Sequence, residues 1–397
     1  MHIVRAGQSN SIIYKNKRFI TKRIESIDLL RGTAIIIMTL DQVRVFFHRD
    51  SFLFSPTDLS QTNIPVFFTS WAAGFCAPVF VFLAGISAYL YGIKHGTKEL
   101  SVYLLTRGLW LTLAALLIVT LEQTFDPTYA VINLQLLWTI GISMMVLSAM
   151  IYVKPVYILL AGLLLTGGHN LLDAVHVTGT GITAMLWNVL HDAGQYTVGR
   201  FTIIIDYPVL PWIGILATGY YFGTMYVPGY HREKREGALF LLGIGAIAVF
   251  IVLRSYNWYG EPAQWAIQEN PFFGVLSFLN VTRRPPSLQC ILMTLGPALV
   301  FLGLAEKPLN KLTATISVLG RTPLFYYFLH IFFIHLLAVA VFDVRDTLCT
   351  GDKAYGVNLL TVYIVWGIVV LLLYPLCKWF DKYKSNHREK KWWLRYL

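Results

Sequence analysis

Apolar residues run through this chain in long unbroken stretches, and the polar positions gather between them. Runs of about 20 apolar residues match the length of a membrane-spanning helix. Only helices and closed barrels can cross a bilayer, because every backbone polar group must find a partner inside the segment or barrel. The alternating strands of about ten residues that mark a membrane barrel are not present. The pattern predicts ten spans, at 27–47, 65–92, 104–123, 131–152, 155–173, 208–226, 237–253, 287–304, 322–343 and 356–379. The fifth is interrupted by Gly167, Gly168 and His169. The expected fold class is all-α: a polytopic membrane bundle of about ten helices, filling 24–380 as one domain. Basic tails flank it at 1–23 and 381–397.

Charge gives that bundle a direction. With both termini cytoplasmic, 24 of the 32 Lys and Arg fall on the inner side, whereas 13 of the 21 Asp and Glu fall outside. That split follows the positive-inside rule and supports an even number of spans. It also accounts for the net charge of +11 without a nucleic-acid partner. The basic segments HREKREG (231–237) and HREKKWW (387–393) then act as topology determinants facing anionic lipid. No cleavable leader is expected, since the first apolar run is long and lacks a small-residue cleavage pattern. Cys76, Cys290 and Cys377 lie in apolar runs and Cys349 in a polar loop, with no CxxC or zinc spacing. Neither a disulfide framework nor a metal is expected. Two long outer segments, 174–207 and 254–286, mix aromatic and polar residues and suit an interfacial layer or a lid.

The stretch Ile24–Asp50 departs from the apolar pattern. It carries Asp28, Arg31, Asp41, Gln42 and Arg44 inside a segment otherwise apolar enough to span. Ionisable groups in a membrane helix are costly, so they face protein or a wet cavity. On a helix, Asp28 and Arg31 are i,i+3 neighbours near its start. Asp41, Arg44 and His48 share a face near its end. Gln42 follows Arg31 by eleven residues, which places the two on one face roughly 16 Å apart. One helix thus offers a polar cluster at each end, suited to a site reached from two sides. A His oriented by a carboxylate can serve as a general base. The bland alternative is that these charges pair with neighbouring helices and only fix packing.

Other spans add candidates. His169, Asp173 and His176 fall at i, i+4, i+7, on one face if the fifth helix continues. His330 lies mid-span, one turn from Tyr326, while His335 points elsewhere on that helix. Arg31, Arg107 and Arg321 stand at cytoplasmic helix ends, where three guanidinium forks can hold phosphates. Asp206, Asp173 and Glu122 (beside Gln123) are outer acids suited to a cationic or hydroxylated acceptor.

The segments SIDLLRG, LDQVRVFFH, PTDLSQTN, FCAPVFVFLAG, TRGLW and GRTPLFYYFLHIFFIHLL together resemble a known family. It is the heparan-α-glucosaminide N-acetyltransferase catalytic-domain-like family of bacterial membrane proteins, within the wider group of transmembrane acyltransferases. The resemblance runs from about residue 22 to 345. It implies a multi-pass protein of the bacterial inner membrane. Such a protein takes an acyl group, most simply acetyl, from cytoplasmic acyl-CoA to a sugar or other hydroxyl or amine acceptor on the outer face. It implies Arg31, Arg107 and Arg321 toward the CoA phosphates, and His48 with Asp41 as base, backed by His169 or His330. Related acyltransferases carry a His eleven residues after the first-helix Arg. Here that position is Gln42, which can orient a carbonyl but cannot act as a base. Two alternatives stand beside this reading: a proton-coupled transporter using the same charges, and a non-catalytic membrane assembly protein.

Overall fold

The computed structural model describes residues 23–51, 53–179, 181–342, 355–387 and 390–396. Most of the predicted N-terminal tail and Cys349 lie outside these residues. The chain opens with α1 (Glu25–Phe47), α2 (Ile64–Ala73), α3 (Cys76–His95) and α4, which runs over Thr97–Thr124 with a π-helical turn at Ala115–Val119. Next come β1 (Val131–Leu134), α5 (Leu136–Met150), α6 (Pro155–Gly168), α7 (Ile182–Leu190), β2 (Gly194–Val198) and β3 (Phe201–Ile205). The second half is helical: α8 (Leu210–Phe222), α9 (Arg232–Ser255), α10 (Pro271–Leu279), α11 (Leu288–Leu304), α12 (Lys311–Arg321), α13 (Pro323–Phe342) and α14 (Leu359–His387).

A helix lies in each of the ten predicted stretches. Among the described residues, six helical segments are long and apolar enough to cross a membrane: 64–95, 97–124, 155–172, 232–255, 323–342 and 359–387. The apolar helices α5 and α11 are shorter. Helix starts follow local chemistry. Pro occupies the first turn of α2, α6, α8 and α10, where its missing N–H costs nothing. Asn63, Ser287 and Asn310 cap α2, α11 and α12 through their side chains.

The all-α expectation needs correction. Strands β1, β3 and β2 form a small sheet in that order, β1 parallel to β3 and β2 antiparallel to it. Phe125 and Tyr129 take left-handed backbone conformations after α4, which stops the helix. The β-branched runs VIN and TIII then favour strands, and β2 joins β3 through the two-residue turn Gly199–Arg200. The predicted span 131–152 is therefore a strand followed by a helix. The fifth predicted span matches the helical segment 155–172, whose last turn, His169–Leu172, is 3-10. Helix α12 answers to no long apolar run, because its sequence is amphipathic.

Small residues set the tightest crossings. Gly320 of α12 meets the α1 backbone at Asp28, and Gly32 of α1 meets α12 at Ile316. Gly219 of α8 and Gly85 of α3 do the same, each against the other's backbone. A Cβ at any of these four would strike a backbone carbonyl oxygen, so only glycine permits the approach. Gly219→Leu is expected to cost about 3 kcal/mol or more through overpacking. The check is loss of the monodisperse peak in detergent size-exclusion chromatography. Gly245→Leu serves as control, since a Cβ there meets open space.

Two ends of the bundle follow from these contacts. The first face holds the start of α1, the α3–α4 turn, the 226–231 turn and α12. The second face holds the end of α1, the sheet, α7 and α10. The α1 helix joins them: it touches α2, α3, α11, α12, α13 and α14.

Candidate functional site

Helix α1 is lined at its first-face end by a cavity of about 1360 Å³. Nine lysines and arginines line it against three carboxylates, Glu25, Asp28 and Glu306. Arg31, Arg107 and Arg321, drawn from three separate helices, all line this one space. Arg31 donates to Asp28 at 3.3 Å, to the Gly320 carbonyl at 3.2 Å and to Ser87 at 3.1 Å. Arg107 donates to the Tyr103 hydroxyl at 3.1 Å. Arg321 pairs with Asp381 at 3.1 Å. Arg235, by contrast, is spent on Glu306 through two nitrogens, at 3.2 and 2.6 Å. At the mouth, Tyr91 stacks on Tyr103 with centroids 4.1 Å apart and planes within 13°, and His95 stacks on Tyr91 at 4.2 Å. A basic hollow with an aromatic shelf can bind a nucleotide with several phosphates.

Apolar groups line the cavity as well: Met38, Leu111, Leu136, Leu137, Ile140 and Tyr327. Met38 is two turns beyond Arg31, about 10 Å along α1. One further turn brings Asp41, which starts a second polar cluster. Asp41 accepts from Arg44 at 2.9 Å, a pair whose arginine is nearly enclosed. Around it stand groups that sequence reasoning did not single out. Arg283 and Arg284 both lie within electrostatic reach of Asp41. Arg283 donates to the Ser70 carbonyl at 2.8 Å and hydroxyl at 3.2 Å, across the break between α2 and α3. Arg284 lies over the Tyr207 ring at 5.4 Å and pairs with Asp206 at 3.7 Å. Asn133 of β1 donates to the same Asp206 oxygen at 3.1 Å. The sheet therefore positions Asp206 beside Arg284 and Tyr207.

Not every predicted neighbour meets. Asp41 and His48 do not form the expected dyad. Helix α1 stops at Phe47 because the chain turns extended and His48 bridges to Val357. The buried His48 ring faces Asp50 at 4.0 Å instead. Burial pushes this imidazole below its ordinary value, with Arg44 and Arg49 adding to the effect and Asp50 opposing it. His169, Asp173 and His176 do not share a face, since α6 ends before Asp173. His169 contacts the Pro286 carbonyl at 3.0 Å and its own helix at Leu165 and Thr166. Asp173 lies 3.2 Å from His191, and His176 pairs with Asp192 at 3.0 Å. His330 is fully buried; Nδ1 bonds the Tyr326 carbonyl at 3.0 Å, while Nε2 has no partner. Glu122 is buried, and one carboxylate oxygen has no partner. Gln42 is half-buried and does not line the cavity. Among the described residues no three His, Cys, Asp or Glu gather as a metal-ligand set.

The segment between α9 and α11 is built around two charges, buried Arg254 and half-buried Glu261. Arg254 donates to the carbonyls of Phe278, Ala263, Ser277 and Asn280. Glu261 accepts from the backbone and hydroxyl of Thr282, from Ser287 and from the Ala263 N–H. Together they fix the short hairpin that presents Arg283 and Arg284.

Comparison with known proteins adds one finding. A family model described as "Heparan-alpha-glucosaminide N-acetyltransferase, catalytic" matches residues 23–260, more than half of the chain. That region carries Arg31, Asp41, Arg107 and Asp206; Arg283, Arg284 and Arg321 lie beyond it. No curated protein matches the chain.

Proposed function

The chain belongs to the heparan-alpha-glucosaminide N-acetyltransferase catalytic family, and on that premise we propose that it moves an acetyl group from acetyl-CoA to an amine or hydroxyl of a sugar across a bacterial inner membrane. In this reading ten helical segments span the membrane. The first face, with its basic mouth, is cytoplasmic, and both termini lie there.

The observation that carries the proposal is the basic cavity beneath Asp41. Nine cations against three acids suit the phosphates of CoA. The Tyr91–Tyr103 shelf suits its adenine. The apolar groups at Met38 and Tyr327 suit the thioester arm, and Met38 stands one turn of α1 short of the second cluster. Asp41 and Asp206 then receive the acceptor, with Asp173 and Glu122 as further acids on that side. The acceptor nitrogen or oxygen bonds to the acetyl carbon. The carbon–sulfur bond breaks, and the acceptor's proton leaves as CoA departs as thiol. His48, oriented by Asp50, is the proposed base for that proton.

The test uses purified protein in detergent, labelled acetyl-CoA and a panel of amino sugars. Labelled sugar supports the reading. Acetyl-CoA that fails to bind would return the transporter alternative to first place. A pH profile then addresses His48. Its neutral form is the active one, and its pKa lies below 6.5 because of burial. The rate should therefore hold as pH falls through 6.5 and drop only below that. His48→Gln should lose about 100-fold or more in kcat and leave acetyl-CoA affinity unchanged. An unchanged kcat would move the base elsewhere.

A further inference from the structure

A cluster of arginines stands beside Asp41 at the second face. Arg44, Arg283 and Arg284 lie in one neighbourhood with Asp41. Asp206 joins it through Arg284. Three arginines thus meet two carboxylates. Asp41 is engaged with Arg44 at 2.9 Å. Arg283 bonds only neutral oxygens of Ser70 among its described hydrogen bonds. Asp206 is shared between Asn133 and Arg284. Arg284 keeps only a long contact to a carboxylate, 3.7 Å from Asp206.

Arg284 is the arginine of this group that a ligand can reach. Its side chain is 55% exposed, against 6% for Arg44. A guanidinium has five N–H donors in a fixed fork, and the ion pair of Arg284 is a long one at 3.7 Å. Asp206 and Tyr207 are its side-chain partners, and a five-donor fork has capacity beyond these two. The arginine is also held in place. Its hairpin is clamped at Thr282 and Ser287 by Glu261, at 2.9 and 2.6 Å, and its plane rests over Tyr207. A rigid, accessible and under-paired fork beside a carboxylate is a site for a molecule carrying both signs of charge.

We propose that Arg284 binds an anionic group of the acceptor, a carboxylate or a phosphate monoester, while Asp206 beside it receives the acceptor's amine. The preferred acceptor is then an acidic amino sugar. This inference rests on the acetyltransferase reading for its turnover, but its binding step stands by itself. A neutral amino sugar would satisfy Asp206 and leave the Arg284 charge unmatched.

Two measurements test it. The first is calorimetric binding of glucosamine 6-phosphate, muramic acid and glucosamine to the full-length protein in detergent, without acetyl-CoA. The second is kcat/KM for the same three with acetyl-CoA. The protein should favour both acidic sugars over glucosamine by about tenfold or more in each assay. Arg284→Gln should bring that ratio to about one, and Arg284→Lys should restore part of it. Preference for the phosphate alone would narrow the class to phosphate monoesters. Equal binding of acidic and neutral sugars overturns the proposal. So does an Arg284→Gln variant that weakens all three alike, which is what a merely structural arginine would do. Failure to bind acetyl-CoA, with the sugar preference intact, would instead count against the acetyltransferase reading and leave the anion site standing.

Discussion

Arg31→Gln is expected to weaken acetyl-CoA binding by about 30-fold or more, with the fold intact. The fold is spared for a specific reason. Asp28, the buried carboxylate beside Arg31, also pairs with Arg23, so removing Arg31 does not orphan it. Glutamine can still donate to Ser87 or to the Gly320 carbonyl, the neutral partners of Arg31. What disappears is a charged fork among the residues lining the cavity. A hydrogen bond to a charged group is worth about 1.5–3 kcal/mol, and 1.4 kcal/mol is tenfold in affinity. Arg31→Lys keeps the charge but not the fork, and should fall between the two. Binding should also weaken with salt, less steeply in the variant, because one charge fewer contributes. Isothermal titration at two ionic strengths reads both effects. An unchanged Kd would place the phosphates against other cations of the cavity, with Arg107 and Arg321 next to be tested.

The two-ended character of α1 could be read from the sequence because charge inside an apolar run is costly and rarely idle. Arg31, Arg107 and Arg321 were legible as a group for a similar reason: each ends an apolar run on the same predicted side. They do line one cavity. Spacing along one helix was a poorer guide. It put Asp41, Arg44 and His48 on one face, and the helix stopped at Phe47 through an extended bridge to Val357, a contact more than 300 residues away in sequence. His169, Asp173 and His176 failed the same way, because α6 tightens to a 3-10 turn after Gly168. The sheet was hidden because its four-residue β1 sat inside a predicted span and its five-residue β2 and β3 inside a predicted connecting segment, all too short to stand out. Arg283 and Arg284 were legible in principle. The expected topology puts them on the outer side, against the positive-inside trend, and an exception of two adjacent arginines asks for a local partner. What the sequence could not show is that Ser70, and the adjacent pair Asp206 and Tyr207, would come to them from two other parts of the chain.

Arg254→Met should melt the second-face segment from about 256 to 287 while the bundle stays folded. Arg254 is 1% exposed and bonds four carbonyl oxygens, at 2.9, 2.7, 2.9 and 2.7 Å. Three of these, from Ser277, Phe278 and Asn280, close the end of α10, where the helix has no N–H of its own to offer. Methionine has similar length and no donor. Each buried carbonyl left unpaired costs about 1–3 kcal/mol, so the loss exceeds what a nine-residue helix with an exposed apolar face can absorb. Arg254→Lys would not rescue it, since one ammonium cannot reach four acceptors that a planar fork spans. The damage stays local because Arg254 contacts only this segment, and the cavity at the first face has no wall in it. The variant should therefore bind acetyl-CoA as before, be cut by protease between 256 and 287, and lose its preference for acidic acceptors. Those effects belong together: the hairpin that presents Arg284 is braced by Glu261 in the segment that Arg254 holds shut. A variant that resists protease and still prefers acidic sugars would break that link and return Arg254 to the ordinary role of a charge at a helix end.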